Sequence, residues 1–142
     1  AAELFSLAGL ESKAVADLQE ARWQKLVWNV PYNGLAVLLD SDTKQLMTDP
    51  STHALVMELM QEVVAAAAAC GYKLPEKMVH GMLKFTESMP AYWPSMYHDF
   101  RAHRPMELQA IYQAPIDAAQ AVGCVMPKTH MLLQLLNHVS AK

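Results

Sequence analysis

From Trp23 onward, apolar side chains return every three or four positions, and valine and isoleucine never alternate with polar residues over the length of a strand. A chain patterned this way can bury one stripe per helix and must build its core helix against helix. The reading is therefore all-α, a helical bundle of about seven helices. With 142 residues the chain has the length of one domain and can bury a core without a metal or a disulfide.

Punctuation residues divide the pattern. Asp49-Pro50 reads as an N-cap followed by proline at the first helical position, and Gly71 as the stop of that helix. Between them Leu55, Leu59, Met60, Val63, Val64 and Ala67 form one stripe. Pro75 opens the next helix, with Met78, Val79, Met82 and Leu83 inward. Residues 90–94 (PAYWP) form a loop, in which Tyr92 and Trp93 act as a lid or hinge contact or simply pack. Glu107 to Val122 is helical, kinked at Pro115 and closed by Gly123. Pro127 starts the last helix, with Met131, Leu132, Leu135, Leu136 and Val139 inward. Residues 1–22 are more mixed and read as two short helices leading into residues 23–142.

Composition removes several function classes. A net charge of −3 leaves no basic footprint for nucleic acid. No apolar run is long enough to span a membrane, and the first residues do not read as a signal peptide. The six histidines do not form a metal set, and His98 and His103 fall on different faces of a helix. Cys70 and Cys124 read as buried thiols in a reducing compartment, the cytoplasm.

The segment from Trp23 to Leu39, WQKLVWNVPYNGLAVLL, is apolar except for Lys25, Asn29 and Asn33. Steps of four residues drift only about 40° round a helix, so the three share one face. Polar groups inside an apolar helix need partners, either within the fold or from a ligand. Spacing alone leaves both open: the lysine can snorkel to solvent, and the asparagines can cap neighbouring helices. Pro31, between the asparagines, frees the carbonyl of Val27 and bends the helix. A second constellation lies downstream, where Ser95 and Asp99 stand four apart and Glu107 heads the next helix. Its plain reading is an Asp99 ion pair with Arg101 or Arg104, and a glutamate favoured by a helix N-terminus.

Together these segments resemble the C-terminal domain of the ketopantoate reductase (2-dehydropantoate 2-reductase) family. The resemblance rests on Trp23, Lys25-Leu26, Asn29 and Asn33, then Ser95-Met96, Asp99, Arg101, Arg104-Pro105 and Glu107, in that order and spacing. It implies that Lys25 is the catalytic general acid and that Glu107 is the catalytic-site carboxylate that tunes it. It implies also that Asn29, Asn33 and Ser95 bind the substrate, while Asp99 is structural. The implied reaction is reduction of ketopantoate or a related 2-keto acid, with NADPH as cofactor. After Glu107 the family's acidic, asparagine and glycine positions are replaced in Leu108 to Pro115, which puts the identity of the keto acid in question. Tyr32 and Tyr112 are expected to reshape the pocket.

In that family the nucleotide sits on a separate N-terminal α/β domain with a glycine-rich turn. The five glycines here, at 9, 34, 71, 81 and 123, do not cluster, so no such fingerprint is present. The implied partner is thus an N-terminal nucleotide-binding domain, residues 1–22 are the connection to it, and the isolated domain is expected to be inactive. The competing expectation is a non-catalytic dimerisation or binding module, a homodimer formed through apolar helix faces left bare.

Overall fold

A computed structural model describes residues 2–142, with side chains from residue 9 onward. It contains seven α-helices: α1 (Ala2–Leu39), α2 (Thr43–Thr48), α3 (Pro50–Ala69), α4 (Met78–Ser88), α5 (Ser95–Arg101), α6 (Ala114–Ala121) and α7 (Pro127–Ser140). A π-helical turn, Gln109–Gln113, runs directly into α6. There is no strand among the described residues. The all-α reading holds.

The bundle is organised around the second half of α1. Residues 30–37 are buried without interruption, so this stretch is covered on every side rather than along one stripe. Helices α3, α5, α7 and α2 and the π turn all pack on it. Val56, Leu59, Met60 and Val63 of α3 supply the largest facing surface. The first half of α1 is different: residues 9–18 are exposed, including Leu10, Val15 and Leu18.

The helix ends follow the expected chemistry. Asp49 caps α3 by accepting the N–H of Ser51 at 2.8 Å, with Pro50 in the first turn. Gly71 takes φ +95°, and the N–H of Tyr72 reaches back to the carbonyl of Ala67, the bond that closes a helix through a left-handed residue. Gly123, at φ +79°, does the same for α6 through the N–H of Cys124 and the carbonyl of Ala119. Pro127 opens α7, whose first amides are held by a neighbour. Glu62 of α3 accepts the N–H of Thr129 at 2.7 Å and of Lys128 at 3.1 Å.

Other expectations are corrected. Residues 1–22 are not two short helices: α1 is continuous from Ala2, and no proline or capping residue interrupts it. It also passes Pro31 without a break. The short α2 was not anticipated, although its capping box is complete between Asp42 and Gln45. Helix α4 begins at Met78, because Pro75 serves as a turn whose carbonyl accepts the N–H of Met78. Helix α7 is rotated from the expected face. Leu132, Leu133 and Leu136 are buried, whereas Met131 and Leu135 are about half exposed. Cys70 and Cys124 are free and only half-buried. The PAYWP loop is packed: Trp93 stacks on Tyr97 at 4.1 Å, and Tyr92 exchanges two hydrogen bonds with Thr43.

Tyr32 and Tyr112 are core residues and do not shape a pocket, for both are fully buried. The Tyr32 hydroxyl donates to the sulfur of Met47 at 3.2 Å. That of Tyr112 donates to the carbonyl of Val30 at 2.7 Å, beside the N–H of Gly34. Only glycine fits there: a Cβ on Gly34 would lie 2.6 Å from the Tyr112 hydroxyl and 2.9 Å from Leu132. Burial pushes the Tyr32 phenol up to about 12 and raises Tyr112 further, the N–H of Gly34 offsetting part of the rise for Tyr112.

Raised phenols tie stability to alkaline pH. The unfolded chain releases these protons near pH 10 while the folded chain retains them. Stability is therefore intact below about pH 10 and falls as pH rises above it. Tyr112→Phe should destabilise the fold by about 0.5–1.5 kcal/mol at neutral pH, by removing the buried hydrogen bond to the Val30 carbonyl. It should also flatten the loss above pH 10. Urea unfolding from pH 7 to 11 measures both effects, and an unchanged alkaline slope would discount Tyr112 as its source.

Candidate functional site

A cleft of about 490 Å³ lies between α1 and the π turn with α6. One wall is a single face of α1: Gln19, Arg22, Trp23, Lys25, Leu26 and Asn29. The other carries Glu107, Ala110, Ile111, Ala114, Pro115 and Ala118. The three alanines are four apart, and their small side chains keep this wall open.

The π turn sets up the second wall. In a regular α-helix Pro115 would leave the carbonyl of Ile111 without its usual donor. Instead the ladder widens ahead of the proline, and Ala114 donates to the carbonyl of Gln109, five residues back. Pro115 then falls in the first turn of α6, where a missing N–H is harmless. The expected kink is thus a π-helical turn, a feature that often marks functional sites because it re-aims side chains.

Of the five expected site residues, the cleft gathers Lys25, Asn29 and Glu107. Lys25 and Glu107 are exposed and do not form an ion pair within 4.0 Å. The side-chain carbonyl and backbone carbonyl of Asn29 both face the amide of Asn33, at 3.4 Å and 3.1 Å. The amide nitrogen of Asn29 makes no hydrogen bond among the described residues and remains free to donate. An ammonium, an amide donor and a carboxylate thus share one partly apolar recess. That set can stabilise a developing oxyanion and deliver a proton to it.

Asn33 lies outside the cleft and is 3% exposed. Besides holding Asn29, its side-chain oxygen accepts the N–H of Met96 at 3.2 Å. It therefore ties α1 to the start of α5 and fixes Ser95, the preceding residue. Ser95 is exposed and does not line the cleft. Asp99 pairs with Arg104 at 3.1 Å, the structural role expected of it. Arg22 is the cleft residue that sequence reasoning missed. Its spacing of three from Lys25 and seven from Asn29 was the available signal.

The family described as "Ketopantoate reductase PanE/ApbA C terminal" matches residues 17–140. The chain belongs to the ketopantoate reductase family. A 2-dehydropantoate 2-reductase from Nostoc sp. (strain PCC 7120) is 40% identical over 138 residues, covering 97% of this chain and 43% of that protein. The crystal structure of 2-dehydropantoate 2-reductase from Methylococcus capsulatus superposes with a TM-score of 0.83 at 34% identity, over 87% of this chain and 40% of the other. That from Geobacter metallireducens gives 0.82 at 39% identity, over 85% and 41%. This ketopantoate reductase domain thus spans less than half the length of the relatives it matches. Among the described residues, no helix is long and apolar enough to cross a membrane.

Because Asn33 is buried and fully engaged, Asn33→Ala should orphan the N–H of Met96 and destabilise the domain by about 1–3 kcal/mol. Hydrogen exchange should show that amide losing protection before those of α3. Unchanged stability together with unchanged exchange would refute this positioning role.

Proposed function

We propose that this chain is the substrate-binding, C-terminal domain of an NADPH-dependent reductase that converts 2-dehydropantoate, or a related 2-keto acid, to the 2-hydroxy acid. The convergence of Lys25, Asn29 and Glu107 in one cleft carries the reading. Reduction of a ketone places negative charge on its oxygen. The Lys25 ammonium stabilises that charge and donates the proton that makes the hydroxyl. The free amide of Asn29, one turn along the same helix, orients the substrate oxygens. Glu107 faces them from the opposite wall. Asn33 acts through Asn29, whose carbonyls its amide meets, and the substrate contact proposed for Ser95 lies outside this cleft.

The dinucleotide does not fit the residues present here. The described residues contain neither a strand nor a glycine-rich turn, and the cleft suits a small keto acid. The reading therefore assigns the nucleotide to an N-terminal domain, in keeping with the greater length of the relatives. Leu18 and Val15 continue the Lys25 and Asn29 face of α1 into its exposed half. That apolar row is the surface against which the N-terminal domain would close, beside the cleft. On this reading the protein works in the cytoplasm, where its thiols stay reduced, and the domain alone turns over no substrate. The same exposed row favours the second reading, a helical module that dimerises without catalysis.

Lys25→Ala in the full-length protein decides between them. NADPH oxidation with 2-dehydropantoate and other 2-keto acids should fall roughly a hundred- to ten-thousand-fold. Turnover indifferent to Lys25, or absent with every keto acid, would shift the weight to the dimerisation module.

A further inference from the structure

Arg22 lines the same cleft as Lys25 and has no assigned role. The two are three residues apart, so their stems are offset by about 4.5 Å along α1 and about 60° around it. Like charges so placed on one helix repel. Nothing on the helix relieves this: the positions three and four away from Arg22 are Leu18, Gln19, Lys25 and Leu26. Among the described residues, no carboxylate approaches Arg22 within 4.0 Å, and the three ion pairs present involve other residues. The cleft thus holds two cations against one carboxylate, Glu107, on a chain whose net charge is −3. An uncompensated cation pair against an alanine wall is a site for an anion.

We propose that Arg22 is the carboxylate anchor of the site: its guanidinium binds the carboxylate of the 2-keto acid while Lys25 attends the adjacent ketone oxygen. The inference rests on the reductase reading above and names the group that selects acids. In a 2-keto acid the carboxylate carbon is bonded directly to the carbonyl carbon, so the carboxylate and the ketone oxygen that gains charge on reduction fall within a few ångströms of each other. A single lysine cannot serve both, because pairing with the carboxylate would draw its ammonium away from the oxygen it must protonate. A guanidinium takes a carboxylate through two parallel N–H···O bonds, which also fixes the plane of the substrate and hence the face of the carbonyl presented.

The test uses the full-length protein with a 2-keto acid and its neutral methyl ester, comparing wild type, Arg22→Ala and Arg22→Lys. Arg22→Ala should raise KM for the acid about 10- to 100-fold. Its effect on the ester should be far smaller, so that the preference for acid over ester collapses. Arg22→Lys should recover part of it. KM for NADPH should stay as in wild type, as should Tm, since Arg22 is exposed. Equal losses on acid and ester would overturn the assignment, as would an unchanged preference. A rise confined to the KM for NADPH would overturn it too, by making Arg22 a cofactor contact. Wild-type protein inactive on both substrates would instead bring down the reductase reading, and this assignment with it.

Discussion

A helical stretch buried on every side has to satisfy each polar group it carries from inside the protein, and α1 carries Asn33 within such a stretch, residues 30–37. One amide resolves the problem in two directions. Its nitrogen turns back to Asn29 on the same helix, and its oxygen takes the N–H of Met96 at the start of α5. The bundle core and the cleft are therefore mechanically linked. The residue that docks α5 also restrains the amide of Asn29, which lines the cleft.

A similar economy governs the approach of the other helices. Gly34 leaves room for the Tyr112 hydroxyl and Leu132 to touch the backbone of α1. Tyr112 belongs to the π turn, so this contact seats the second wall of the cleft against the first. The widened turn absorbs Pro115, and its geometry leaves Ala110, Ala114 and Ala118 along the recess. The recess sets a few polar groups of α1 opposite a wall that offers little side-chain bulk.

Charge follows the same division. Several carboxylates elsewhere are occupied: Glu62 caps α7, Asp99 holds Arg104, and Glu87 meets His53. In the cleft, Arg22 and Lys25 face a single glutamate. The acidic chain as a whole thus conceals a locally cationic recess, which net charge alone cannot reveal because fields are set by the arrangement of charges.

Sequence by itself determined the helical class and the helix ends at Pro50, Gly71, Gly123 and Pro127. These depend on local dihedral preferences and unpaired backbone groups, which neighbouring residues decide. It also marked Lys25, Asn29 and Asn33 as a shared face, because helical periodicity is a local rule. What it left open needed contacts between distant segments. Helix α7 has apolar residues over more than half its circumference, so its rotation was settled by Glu62 at its first turn and Gly34 beneath Leu132. Whether Asn33 meets a ligand or the core was decided by the arrival of α5. Tyr32 and Tyr112 became core rather than pocket because their hydroxyls found partners inside. The pairing of Arg22 with the Lys25 cleft required the opposite wall, sixty or more residues away along the chain, to be folded back against α1.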